Sequence, residues 1–400
     1  MNYLVIGVIA SAFLAGCQAP VLNKHITAES KTQKKVQLAL VSKLNHTLFV
    51  PQSIPSDVKL FELPDEEQTQ FLRYFEKYAK LGEREDKIIS NYLETFLAGF
   101  RFDGATLTAK ESLAGHKGNC ISLAILTEAY ANLVGIKTSF TEVSSIPVFQ
   151  IQHSTVLVAN HFKTKLHAPV KEHPKEQDWI RFHTAGTVVD YFPSLDSVFI
   201  GNASKTDLLA KFYSNRSVDA MLEADYDLSY SYLKEATRYA PNDPELLNLA
   251  ALLHKRRGDL STAKQLFQFG FEQNLSSYNL LSNYLTVLDK TKDADLITAI
   301  RARFEVIEKN PIDRLMLAKD YLRDNQLTLA EAQLAKVIDQ LPYLPEPYIE
   351  LAKIAYLRGY TGQARRLLDL AKKKTSQKEK LAIIEAKKSA LSRLKIETKP

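Results

Sequence analysis

The 400-residue chain has two cysteines, Cys17 and Cys120. Cys120 follows a glycine and an asparagine in His116-Lys117-Gly118-Asn119-Cys120 and heads the apolar run 121–134. A thiol in the first turn of a helix lies beside unpaired backbone N–H groups, which favour an anion and can also hold an oxyanion. A thiolate nucleophile also needs a base within reach and a group that orients the base. The chain supplies them in order: His153 opens the alternating stretch 153–159, and Asp190 lies inside the stretch 187–192. The chemistry would be acyl transfer. Cys120 would attack an amide carbonyl, His153 would take and return the proton, and Asp190 would orient the imidazole. Water would release an acid; an amine would form a new amide. A second reading stays open, in which Cys120 is an inert core thiol and His153 and Asp190 are ordinary strand residues. His161, His167 and His183 compete for the role of base, but only His153 begins a clean alternation. His161, His167, His173 and His183 lack the paired spacing of a zinc site, so neither metal nor cofactor is expected.

Helices and strands must bring these residues together. Phe71, Tyr74, Phe75 and Tyr78 recur at three- and four-residue steps, as do Ile89, Tyr92, Leu93, Phe96 and Leu97, which predicts two helices parted by Gly82. Thr106 or Thr108 can cap a short helix ending near Leu113, and Asn119 is placed to cap the next. The run 121–134 is apolar on most faces and stops at Gly135, as expected of a buried helix with a glycine at its end. Beyond Gly135 the period falls to two: strands are expected over 138–143, over 153–159 with a turn at Asn160-His161 into 162–166, and over 187–192, closed by Pro193. Helices followed by strands make an α+β domain.

The other cysteine is of a different kind. Residues 3–15 are an apolar run too short to span a bilayer, ending in Leu14-Ala15-Gly16-Cys17. That ending resembles the lipobox of bacterial lipoproteins, which implies a signal peptide over 1–16 and an acylated Cys17. Several acyl chains give stable anchoring. Gln18 follows, not the Asp of an inner-membrane signal, so the expected location is the outer membrane, facing the periplasm. The polar stretch 17–35 reads as a tether. With Cys17 acylated, Cys120 has no disulfide partner within the chain in an oxidising compartment, so it must be buried or used. Of the charge, 372–400 carries ten Lys/Arg against three Asp/Glu, more than the whole formal +6. So local an excess gives no argument for nucleic-acid binding.

From about residue 210 the chain repeats. "NLAALLHKRRGDLSTAKQLFQFGFEQN", "LMLAKDYLRDNQLTLAEAQLAKVIDQLP" and "YIELAKIAYLRGYTGQARRLLDLAKKK" align with each other and with 213–243. Ala263, Ala330 and Ala364 open second helices, and Gly270, Val337 and Ala371 follow seven residues later. The spacing is close to 34 and resembles the tetratricopeptide repeat, with five units and a degenerate third over 277–310. The segments "TLTAKES", "GNCIS", "LVGI", "HSTVLV" and "VVDY" resemble, in that order, the transglutaminase-like superfamily, and more closely bacterial proteins that join such a domain to tetratricopeptide repeats. The resemblance implies a papain-like α+β domain over 36–205, an all-α solenoid over 206–371 and a basic helix over 372–400. It carries Cys120, His153 and Asp190 over as nucleophile, base and orienting acid. The implied protein is a lipid-anchored cysteine acyl-transfer enzyme, peptidase, amidase or cross-linking, whose repeats bind a protein or peptide. The rival is an inactive scaffold, since a fold does not imply a function.

Overall fold

A computed structural model describes residues 40–145, 151–152, 155–156, 160–169, 185–191, 197–275, 277–289, 291–307, 309, 311–375 and 378–397. Cys17, the expected signal segment and tether, and His153 lie outside them.

Two helices, α1 (Asp65–Lys80) and α2 (Glu85–Leu97), precede the short α3 (Ala109–Gly115) and α4 (Cys120–Leu133). Acidic residues fill the first turn of α1, and Lys77 and Lys80 its last, matching the helix dipole. Thr108, not Thr106, caps α3, in a reciprocal capping box with Glu111. Helix α4 is the centre of this unit: every residue from Cys120 to Ala131 is buried. An aromatic cluster locks it to its neighbours. The Phe71 ring lies 5.1 Å from Tyr92 and 4.7 Å from Tyr130, and both tyrosine hydroxyls donate to Glu67 Oε1.

Strands β1 (Thr138–Ser145), β2 (Asn160–His167), β3 (Gly186–Val189) and β4 (Ser197–Ala203) form an antiparallel sheet in the order β3–β2–β1–β4. The register sets Phe140 opposite Thr164 and Thr164 opposite Val189. Phe162, Thr164 and Leu166 are buried and Lys163 and Lys165 partly exposed, so β2 turns one face to the core. Asn160 and His161, expected as a turn, belong to β2; pairing with Ser144 and Val143 extends the strand through them. Of the stretch 153–159, Thr155–Val156 pairs with Ile151–Gln152 in a two-residue ladder. Buried Asp86 ties α2 to the sheet: Arg84 donates to it at 2.6 and 2.8 Å, and Thr187 Oγ1 at 2.7 Å.

Five helix pairs follow: α5 (Lys205–Leu222) with α6 (Tyr226–Tyr239), α7 (Pro244–Arg256) with α8 (Leu260–Glu272), α9 (Tyr278–Leu285) with α10 (Ala294–Val306), α11 (Pro311–Arg323) with α12 (Leu327–Gln340), and α13 (Glu346–Leu357) with α14 (Thr361–Lys372). They make an all-α solenoid of tetratricopeptide-like hairpins. The third pair has the shortest first helix, as its degenerate sequence foretells. The turns inside four of the hairpins use a left-handed residue, Gly258 and Gly359 and, at the equivalent places, Ala224 and Asn325. Ala263, Ala330 and Ala364 are wholly buried, and so are Val337 and Ala371. A Cβ on Gly270 would stand 2.6 Å from Leu247 and 2.9 Å from Leu280, so three helices meet at that glycine. The basic helix α15 (Lys378–Glu397) closes the array, burying Ile384 and Leu391 and pairing Lys388 with Asp369 and Lys380 with Glu346.

The stretch 40–55, grouped by sequence with the N-terminal domain, lies against the first two hairpins. Phe49 stacks on Tyr230, and Gln52 N–H donates to Ser231 Oγ. Among the described residues no helix is long and apolar enough to cross a membrane.

Candidate functional site

Cys120 is the first residue of α4, where the sequence places it. Asn119 caps the helix: its Oδ1 accepts from Ser122 N–H at 3.0 Å, and Ser122 Oγ accepts from Asn119 N–H at 3.3 Å. The approach is tight. Gly118 has φ +148°, and a Cβ there would lie 2.8–2.9 Å from Ser122 and Ser112. Cys120 is 5 % exposed. Burial pushes the thiol above its ordinary value, while the backbone N–H groups of Phe162, Ile121 and Cys120 itself pull the other way. Phe162 is on β2, so the sulfur sits where the start of α4 meets the sheet.

Asp190 lies one residue past β3. Its neighbours Val189 and Tyr191 are both buried, so by strand alternation Asp190 takes the opposite side. There it pairs with Lys163 at 2.7 Å. Tyr191 points inward: its hydroxyl donates to Thr164 Oγ1 at 2.9 Å and lies 2.6 Å from Thr127 Oγ1 on α4. Burial raises that phenol strongly, the Cys120 and Asp190 charges adding to the shift. His153, the expected base, lies outside the described residues, as do His173 and His183; His161 belongs to β2. His167 ends β2 with its Nε2 2.8 Å from Ser139 Oγ. Burial, then Lys165 and Lys137, hold it below the usual histidine value. His116 caps α3 in a left-handed conformation and packs edge-on against Phe96. Among the described residues no three His, Cys, Asp or Glu side chains gather as a metal site would require.

Thr106 has a role that sequence reasoning missed. Its Oγ1 accepts from Asn119 Nδ2 at 2.7 Å and from Asn215 Nδ2 of α5 at 3.2 Å, and its carbonyl accepts from Arg216 at 3.4 Å. The loop before α3 thus joins the cap of α4 to the first hairpin. Only the threonine beside a second threonine, Thr106 with Thr108, hinted that one of them had work other than capping.

The hairpins carry a polar row. Lys211, Glu245 and Asn279 stand 34 residues apart on the first helices of three successive pairs. Asn279 Nδ2 donates to Glu245 Oε2 at 3.2 Å, and one turn on Asn283 Nδ2 donates to Asn248 Oδ1 at 2.9 Å. Lys211 reaches Glu142 of β1 at 3.3 Å, tying the row to the sheet. Burial raises the Glu245 carboxyl; it also opposes the Lys211 ammonium, but Glu142, Asp243 and Glu245 together hold that group above its ordinary value. Such a row offers donors and acceptors at the spacing of the repeat.

No protein-family model and no curated protein matches the sequence. Solved structures match part of the chain. YrrB, described as a tetratricopeptide-repeat protein with an unusual peptide-binding site, is 18 % identical over 45 % of this chain and 92 % of its own, with a TM-score of 0.29. PilW, a type IV pilus biogenesis factor, is 16 % identical over 49 % and 93 %, with 0.32. Pseudomonas aeruginosa pilF is 14 % identical over 48 % and 86 %, also with 0.32. Scores this low carry no argument about function; the repeat assignment rests on the 34-residue step and the paired helices.

Proposed function

We propose that the chain is a tethered scaffold: Cys17, acylated, holds it at the periplasmic face of the outer membrane, and its hairpins bind a protein or peptide segment. The observation that carries the reading is the polar row of Lys211, Glu245, Asn279, Asn248 and Asn283, set on successive hairpins and facing its own equivalents one repeat away. An extended segment has backbone N–H and C=O groups at regular intervals, which such a row can meet. A photo-crosslinker at Asn283 should capture a partner that Asn279→Ala with Asn248→Ala releases. Equal capture by the double variant would remove the row from binding. Mass spectrometry of the mature N-terminus tests the anchor: a diacylated Cys17 is expected, and an unmodified chain would count against it.

A second reading is the acyl-transfer enzyme with Cys120, His153 and Asp190 in a transglutaminase-like domain. It is favoured by one observation, the backbone N–H groups of Phe162, Ile121 and Cys120 grouped at the sulfur, which is the setting an oxyanion would need. The burial of the thiol, which raises its value, stands against it. Alkylation across pH separates the two. In the scaffold, Cys120 labels slowly and only as the pH passes above the ordinary thiol range. Fast labelling at pH 7 that His153→Ala slows would favour the enzyme.

A further inference from the structure

The stretch 45–55 runs along the hairpins α5–α8 as a strap. Phe49 stacks flat on Tyr230, ring centres 4.6 Å apart, and stands edge-on to His254 at 5.2 Å. Val50 N–H donates to Asp227 at 3.0 Å, Gln52 N–H to Ser231 Oγ at 2.8 Å, and the Tyr213 hydroxyl to Pro55 O at 3.0 Å. At the other end Asn45 donates twice, from its backbone N–H to His254 Nε2 at 3.2 Å and from Nδ2 to Asp259 at 2.8 Å.

His254 is wholly buried, and its Nδ1 lies 2.8 Å from Ala250 O. The Asn45 N–H can only donate, so Nε2 must keep its lone pair. The Ala250 carbonyl can only accept, so Nδ1 must carry the hydrogen. Both nitrogens are committed, and only the neutral ring satisfies them. A proton on Nε2 would set N–H against N–H and leave a charge in a wholly buried site. The geometry points to a proton-operated latch: the strap 45–55 is docked while His254 is neutral, and protonation of His254 releases it from the hairpins.

His46, on the strap, has its Nδ1 on the Tyr230 hydroxyl of α6. Asp259, before α8, is already held by Asn45 and by the Thr262 N–H and hydroxyl. On α7 itself Lys255 reaches Thr286, and Arg256 reaches Met221 O. Burial keeps His254 below the usual histidine value; the Ala250 carbonyl and Asp259 oppose this, and His46 adds to it. The docked histidine thus takes up a proton less readily than a free imidazole, whose ordinary value is near 6.5. Docking is at full strength above that pH and weakens as the pH falls through it, by up to about tenfold between pH 7.5 and 5.5. The latch requires neither the acyl anchor nor a reactive Cys120.

Hydrogen exchange of the full chain in detergent micelles reads it directly. After correction for intrinsic rates, peptides covering 44–52 should lose up to about tenfold protection from pH 7.5 to 5.5, while peptides of α8 keep theirs. His254→Gln, which retains an acceptor and does not titrate, should abolish the slope, and His46→Gln should preserve it. Phe49→Ala, which keeps both ring nitrogens of His254, should lower strap protection already at pH 7.5 and keep the slope. Protection of the wild-type strap that is equal at both pH values overturns the latch. So does a slope that survives His254→Gln or is lost with His46→Gln, and so does simultaneous loss of protection in α8.

Discussion

The start of α4 shows how much one position can be asked to satisfy. Gly118 adopts a left-handed φ and brings its backbone against Ser112 and Ser122, so that Asn119 can cap the helix and Cys120 can enter it buried. Ser122 Oγ also donates to Ala105 O at 3.1 Å and accepts from Leu107 N–H at 2.7 Å. Gly118→Ala would push a methyl into these serines and strain the backbone as well. We expect it to cost on the order of 1–3 kcal/mol or more, read by denaturant midpoint. A loss below the error of that measurement would show that the loop can yield. Cys120 itself was legible as a helix-start thiol, because a glycine, an asparagine and an apolar run are local signals. Whether it would be buried or used stayed open, because the β2 backbone at Phe162, which meets the sulfur, comes from a distant part of the chain.

At the scale of elements, the repeats hold together through small residues at helix crossings. Ala263 and Ala364 are wholly buried on second helices, and Gly270 meets both Leu247 and Leu280. Gly270→Ala sets a methyl where no gap exists, and Ala263→Trp does so on a larger scale. Both should destabilise the array and so lower its melting temperature, the alanine costing on the order of 1–3 kcal/mol and the tryptophan more. Unchanged melting of either would mean that the helix register is wrong. The 34-residue period exposed these positions in advance, since each hairpin must bury the same face on the next. The edge strand β4 was not foreseen: its alternation is weak, and pairing with β1, interrupted by a bulge between Glu142 and Val143, decides its place.

For the whole molecule, α5 belongs to both halves. It is the first helix of the solenoid, and through Asn215, Arg216 and Lys211 it also grips the Thr106 loop and β1. The two parts should therefore unfold together, with near-UV and far-UV signals following one transition. Thr106→Val removes the hydroxyl shared by Asn119 and Asn215 and leaves two amide groups short of an acceptor, at a cost of about 1–3 kcal/mol. Separation of the two signals in this variant, but not in the wild type, is the expected mark of a joint. Two separate transitions in the wild type would refute it.

What the sequence determined by itself was local or periodic: the helix caps, the apolar α4, the hairpin repeat, the basic closing helix. These signals recur within a few residues or at a fixed step, so no knowledge of distant contacts is needed to see them. Tertiary structure alone decided which side of a strand faces the core. Asp190 and Tyr191 are neighbours in sequence, and alternation sends one to Lys163 and the other to Thr127 and Thr164. Sequence likewise assigned 40–55 to the nearer domain, because chain proximity is the default when no period is present. The stretch lies instead on hairpins some two hundred residues away, because Tyr230 and His254 offer the stacking partner and the acceptor that Phe49 and the Asn45 amide lack locally.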